Sequence, residues 1–339
     1  MRSKTASVDA IRTTRLITAI KTPYLPNGKV DLASFDGLVE RQIEGGVGGI
    51  VVGGTTGEGQ LMSWDEHIML IAHTAKLYGD ELKIVGNTGS NSTREAVHAT
   101  SQGFAVGEKK RACPLLRNPV LKWARLIIRP YVTGMDASLQ INPYYGKTSS
   151  AGILQHFQAV MDFGPAIVYN VPARTSQDIS PDIMQLLAKH ENFAGVKECE
   201  GNDRIKAYTD DGIVCWTGND DEAHAARYEA GAVGVISVTS NVVPGLMNDL
   251  MSNGPNPELR DRLLPLMKWL FAQPNPIGLN TMLAMLGCIE PVFRLPYVPY
   301  DSDLRAEGAA LIQALGLEHT PGQAIRRIAD DQFKILKDW

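Results

Sequence analysis

The chain has 339 residues, 44% apolar and 21% charged, with a formal net charge of −4. That length suits one large α/β domain with an appendage, or two ordinary domains, and the charge gives no reason to expect nucleic acid or an anionic membrane as partner. Four scattered cysteines (Cys113, Cys199, Cys215, Cys288) form no CxxC pair, which argues for a reducing compartment and against a structural zinc site.

In chain order, "MRSKTASVDAIRTTRL" comes first, with four basic residues, one acid and no apolar core. It is not a secretory signal, and residues 1–14 read as a leader or the remnant of a transit peptide. Eight short β-branched runs follow. They are "RLITAIKT" from Arg15, "GGIVVGGT" from Gly48, "ELKIVGNT" from Glu81, "SLQINPYY" from Ser138, "PAIVYNVP" from Pro165, "FAGVKECE" from Phe193, "GIVCWTGND" from Gly212 and "GVISVTSN" from Gly234. Continuous apolar runs bounded by Gly, Pro or Asn suit strands of a parallel sheet covered on both sides. In the sixth run, Phe193 to Val196 reads as the strand and Lys197 ends it.

Helical signals lie between the runs. Leu32, Phe35, Leu38, Val39 and Ile43 share one helical face, and Ser63–Glu66 and Ser92–Glu95 fit capping boxes. Pro181 sits just inside a helix start after Ser180. Eight strand–helix units over residues 15–250 predict a (β/α)8 TIM barrel rather than a doubly wound sheet, which usually offers a G-x-G-x-x-G turn or a Walker lysine. Past residue 250 the strand pattern stops, and 251–339 reads as a helical C-terminal extension. No apolar stretch approaches the ~18 residues that span a bilayer.

One interval does not fit. Fifty-seven residues separate the third strand start from the fourth, and residues 108–134 carry seven Lys/Arg against one acid, with three prolines. Without them "GFAVG" runs into "MDASLQINPYYG". Residues 108–134 are therefore expected to be an insertion between the third helix and the fourth strand, a translated intron or gene-model error being its simplest source.

Catalytic groups of such a barrel come from the C-terminal strand ends and the loops after them. Here those are Thr55 and Thr56, Tyr144 and Tyr145, Tyr169, Lys197, Gly218 and Ile236. An ammonium in an apolar run is costly to bury, and an amine so held has a lowered pKa and can attack a ketone. Tyrosines and a threonine can pass protons. This pattern points to a Schiff-base lyase or aldolase for a 2-oxo acid, with no metal-ligand set. Taken singly, a strand-end lysine is more often salt-bridged or snorkelling, as expected for Lys21 and Lys83. Trp64 and His67 alone would be ordinary helix-start packing.

"GGTTGEGQL", "NPYYG", "YNVPARTSQD", "GVKECEGNDR" and "GVISVTSN", in this order and spacing, resemble the dihydrodipicolinate synthase family. "LMSWDEHIML", "GNTGSNSTREA" and "PNPIGLNTMLAMLG…PVFRLPYVP" resemble its plant-type branch. The resemblance runs from about residue 14 to 300, apart from the insertion. It implies a homotetramer of (β/α)8 barrels condensing pyruvate with L-aspartate 4-semialdehyde in lysine biosynthesis, with no cofactor beyond the imine on Lys197. It also implies a chloroplast stromal location, the cytoplasm being the alternative.

By the same resemblance, Lys197 is the Schiff-base lysine, Tyr169 and Thr55 relay protons, and Tyr145 reaches in from a neighbouring subunit. Thr56 would hold the pyruvate carboxylate, Arg174 the semialdehyde carboxylate, and Gly218 and Ile236 would line the pocket. The family's feedback site for lysine maps to Trp64, His67, Asn91, Glu95 and Tyr144. The closest rival is a sibling such as N-acetylneuraminate lyase, which shares the lysine and the YN[VI]P tyrosine. Arg174 and the paired Tyr144–Tyr145 favour the synthase. A chain disabled or made regulatory by the insertion is the rival from outside enzymology.

Overall fold

The computed structural model describes residues 8–105 and 134–339. Among these, eight parallel strands close a barrel in sequential order: β1 (Leu16–Ala19), β2 (Gly49–Val52), β3 (Lys83–Asn87), β4 (Ala137–Ile141), β5 (Ala166–Asn170), β6 (Phe193–Glu198), β7 (Cys215–Thr217) and β8 (Gly234–Ser237). The first and last pair through Ile17↔Ile236, which rules out the doubly wound sheet. β6 runs past Lys197 to Glu198, because Tyr169↔Lys197 and Lys197↔Trp216 continue the ladder on both sides. Lys197 thus stands on rigid backbone rather than at a strand end.

Side chains of Ile17, Val51, Leu139, Ile167, Trp216 and Ile236 fill the barrel, and a larger cluster joins the outer helices to the C-terminal region. The helix faces follow the sequence pattern. Phe35, Leu38 and Val39 of helix Leu32–Glu44 are buried, and Ser63 and Glu66 close a full capping box on helix Trp64–Tyr78. The box expected at Ser92 is half made. Glu95 N reaches Ser92 Oγ, but the Glu95 carboxylate accepts from Ser90 Oγ at 2.7 Å.

Within the stretch read as a leader or remnant, residues 8–14 pack on the barrel floor, where helix Val8–Arg12 sits. Ile11 is fully buried, Arg12 donates to Phe193 O and Ala194 O, and Trp216 Nε1 donates to Thr14 O. The region after 250 is helical as expected, with one short sheet added. Beyond helices Pro257–Leu270, Ile277–Met285 and Ser302–Leu315, strands β9 (Val292–Arg294) and β10 (Lys334–Leu336) pair in parallel. Three-residue strands carry too little pattern to be seen in sequence.

The expected insertion, 108–134, lies outside the described residues apart from Gly134. Its flanks are close together: Met135 N donates to Gly103 O at 3.2 Å. Among the described residues, no helix is long and apolar enough to cross a membrane.

Candidate active site

At the C-terminal end of the barrel, the register that pairs Tyr169 with Lys197 sets the Lys197 Nζ 4.4 Å from the centre of the Tyr169 ring. Both side chains are buried. Burial lowers the Lys197 pKa, with Arg174 acting the same way and Cys199 and Asp220 opposing. A larger share of neutral amine results, the form that attacks a carbonyl. Burial also raises the Tyr169 phenol well above its ordinary value, so it remains a proton donor across the neutral range. Gly218 makes room for the lysine: a Cβ there would sit 2.8 Å from Lys197 Cε and 2.3 Å from Cys199 Sγ. Ile236 is fully buried on β8.

The loop after β2 brings Thr55 and Thr56 to the same rim. Gly53, at φ +67°, and Gly59 are required by close packing. A Cβ on Gly53 would overlap His67 Nε2, and one on Gly59 would overlap Gly53 O. Thr56 is buried, and its Oγ1 accepts from Asn275 Nδ2 at 3.0 Å. That bond occupies a lone pair of the hydroxyl and leaves its hydrogen free to donate to a ligand. Arg174, on the short turn Pro172–Thr175, donates to the Asn275 carbonyl at 3.2 Å. Asn275 therefore ties together the two residues expected to hold carboxylates.

Sequence reasoning missed Asn275, although it lies inside "PNPIGLN". It also missed Glu198, which accepts from the Cys199 and Glu200 N–H groups and from Asn170 Nδ2, fixing the loop after β6. Asp220 was missed as well. Its Oδ2 accepts from Val238 N, Thr239 N and Thr239 Oγ1, pinning the loops after β7 and β8 to each other. The only signal for Glu198 and Asp220 was their nearness in sequence to Lys197 and Gly218.

The remaining expected residues fall into two groups. Trp64 stacks on His67, with centroids 5.3 Å apart. His67 is buried, and burial takes its imidazole down to about 4. Asn91 Oδ1 accepts both Tyr144 N and Tyr145 N at 2.8 Å, beside the Ser90–Glu95 hydrogen bond. Tyr145 is 90% exposed and Tyr144 44%. Within the described residues, no hydrogen bond or ring contact joins Tyr145 to Tyr169 or Lys197. Lys21 and Lys83 are ion-paired, to Glu58 and Asp136. No group of three or more His, Cys, Asp or Glu among the described residues is arranged to hold a metal ion.

The sequence model of the dihydrodipicolinate synthetase family matches residues 12–113 and 128–315. The chain belongs to this family. Residues 114–127, the stretch the family match passes over, fall inside the expected insertion. Among relatives of this family member, a Glycine max protein named 4-hydroxy-tetrahydrodipicolinate synthase, chloroplastic, is 56% identical over 331 residues, 98% of this chain and 91% of the relative. Solved structures of similar fold include two with a named ligand. The dihydrodipicolinate synthase of Acinetobacter baumannii, solved with pyruvate, gives a TM-score of 0.77 at 32% identity, covering 90% of this chain and 99% of that one. The Cyanidioschyzon merolae enzyme, solved with lysine bound, gives 0.74 at 27% identity with the same coverage.

Proposed function

We propose that this chain is a 4-hydroxy-tetrahydrodipicolinate synthase, a class I pyruvate-dependent lyase that condenses pyruvate with L-aspartate 4-semialdehyde. The neutral Lys197 amine attacks C2 of pyruvate, water leaves, and an imine forms. Loss of a methyl proton gives the enamine, whose carbon attacks the aldehyde. The substrate's own amine then attacks the imine carbon, closing the ring and freeing Lys197. Tyr169, with Thr55 beside it and Tyr145 from a neighbouring subunit, passes the protons of these steps. Thr56 takes the pyruvate carboxylate, and Arg174 suits two-point contact with the semialdehyde carboxylate.

The observation that carries this reading is the buried Lys197 amine held 4.4 Å over the Tyr169 ring. The imine itself withdraws electrons, so no external cofactor enters the scheme. Lysine is the proposed feedback ligand, at Trp64, His67, Asn91, Glu95 and Tyr144. A homotetramer is proposed on the exposed Tyr144 and Tyr145 rings, which a partner subunit would cover. The name of the soybean relative supports a plastid setting.

The test is borohydride trapping of pyruvate on the purified chain, read by mass spectrometry. The wild type gains the reduced three-carbon adduct and Lys197→Ala gains none. An adduct on Lys21 or Lys83, or faster cleavage of N-acetylneuraminate than condensation of the semialdehyde, refutes the assignment.

A further inference from the structure

Arg294 and Trp339 take no part in the scheme above, yet they brace the loop on which that scheme depends. The Arg294 side chain is fully buried. Its Nη1 donates to Leu61 O at 3.1 Å, and its Nη2 donates to Gly28 O at 2.6 Å and to Glu66 Oε1 at 2.9 Å. The guanidinium packs over two aromatic rings, with Tyr24 at 3.9 Å and Trp339 at 5.1 Å from their centroids. Such a planar, weakly hydrated cation suits this setting in a way that a lysine would not.

The groups it holds delimit one segment. Thr55 and Thr56 open it, Glu58 follows in the left-handed region at φ +57°, and the 3-10 turn Gly59–Leu61 leads into the Ser63–Glu66 capping box. Glu58 is pinned from below by Lys21 and Asn280. Arg294 takes the carbonyl that ends the turn and the carboxylate that starts the helix. Two buried cations thus fix the path of the segment, and Arg294 is the one seated by the chain terminus.

That seat is built by residues beyond the family match, which stops at residue 315, whereas the soybean match covers 98% of this chain. β10 pairs along β9 as Lys334↔Val292, Ile335↔Phe293 and Leu336↔Arg294, which carries Trp339 onto the guanidinium. The fit is close on the far side too: Gly28, at φ +84°, would place a Cβ 2.5 Å from Trp339 Cβ.

We propose that Arg294 is a positioning residue for the pyruvate site and that the C-terminal strand, through Trp339, holds it in place. This rests on the reading that Thr56 receives the pyruvate carboxylate. Removing the indole opens one face of the guanidinium to water, which competes for the hydrogen bonds to Leu61 and Glu66. The turn behind Thr56 then loses one of its two anchors, Lys21 and Asn280 still holding Glu58, while Lys197, on the opposite side of the barrel at β6, is untouched.

The experiment compares Trp339→Ala, Trp339→Phe and Glu66→Gln in the full-length chain. Glutamine preserves the capping geometry but removes the charge that Arg294 meets. The KM for pyruvate should rise about three- to ten-fold in Trp339→Ala and Glu66→Gln, with kcat within about two-fold and most of the loss restored in Trp339→Phe. Borohydride adduct formation at saturating pyruvate should remain stoichiometric. A wild-type adduct with an unmoved KM in both variants, even with a lowered melting temperature, would make Arg294 a plain stabiliser and overturn the proposal. No adduct on the wild type would overturn the Schiff-base reading itself, and this proposal with it.

Discussion

Gly218→Ala tests whether the lysine must stand where the barrel holds it. The new methyl would meet Lys197 Cε at 2.8 Å and Cys199 Sγ at 2.3 Å. Carbon atoms settle at roughly 3.5–4.0 Å, so the lysine must retreat by about 1 Å. The backbone cannot give way instead, because Gly218 N donates to Glu198 O at 2.8 Å while the Glu198 carboxylate anchors the next two N–H groups. A displacement of ~1 Å at reacting atoms costs on the order of 10²-fold in rate, and the overpacking should cost ~1–3 kcal/mol of stability. The assay is the rate of borohydride-trapped adduct formation, followed beside kcat and thermal melting. The second variant, Gly218→Ala with Cys199→Ala, removes the sulfur contact and keeps the lysine contact. It should recover stability and not the trapping rate. Unchanged trapping in Gly218→Ala would show that the position of Lys197 is not critical and would sink the reasoning.

Other outcomes follow from the same geometry. Arg174→Ala should raise the KM for the semialdehyde and leave that for pyruvate nearly intact. Asn275→Ala keeps the backbone carbonyl that Arg174 meets but loses the bond to Thr56, so it should weaken pyruvate instead, by about 1–3 kcal/mol; steady-state kinetics with each substrate varied decide, and equal losses for both substrates in both variants would contradict the division. Excising residues 108–134 should keep or improve solubility and activity, because Gly103 and Met135 are already hydrogen-bonded and closing the loop costs little; loss of folding would make the segment a real structural element. His67 has a folded value near 4 against 6.5, so its contribution is whole above pH 6.5 and is lost as pH falls toward 4, on the order of 3 kcal/mol. Melting curves across that range should show a shallower decline for His67→Leu, and an identical decline would refute the assignment.

The barrel was legible because each of its strands is buried on both faces, so the runs from Arg15 to Gly234 stand out against glycine and proline. Lys197 and Tyr169 were legible for the same reason, as polar groups where the pattern calls for apolar ones. Asn275, Glu198 and Asp220 were not. Asn275 and Asp220 act by holding hydroxyl or backbone groups of distant loops and Glu198 by holding the two N–H groups that follow it, and an asparagine or acid looks the same in sequence whether it faces water or a buried N–H. The plug at Val8–Arg12 was hidden too, since one turn of helix with a single buried isoleucine is indistinguishable from a leader. β9 and β10 were missed for want of length.

The double acceptance at Asn91 has a mechanical consequence. Consecutive N–H groups that converge on one oxygen curl the backbone around it, as in an anion-binding nest, and here the oxygen belongs to a side chain. The backbones of Tyr144 and Tyr145 therefore share a single fulcrum, one residue being proposed for the feedback pocket and the other for a neighbour's chemistry. A ligand that draws the Asn91 amide toward itself pulls on both peptide N–H groups at once, so the backbone of the two residues shifts as a unit while that oxygen stays in place.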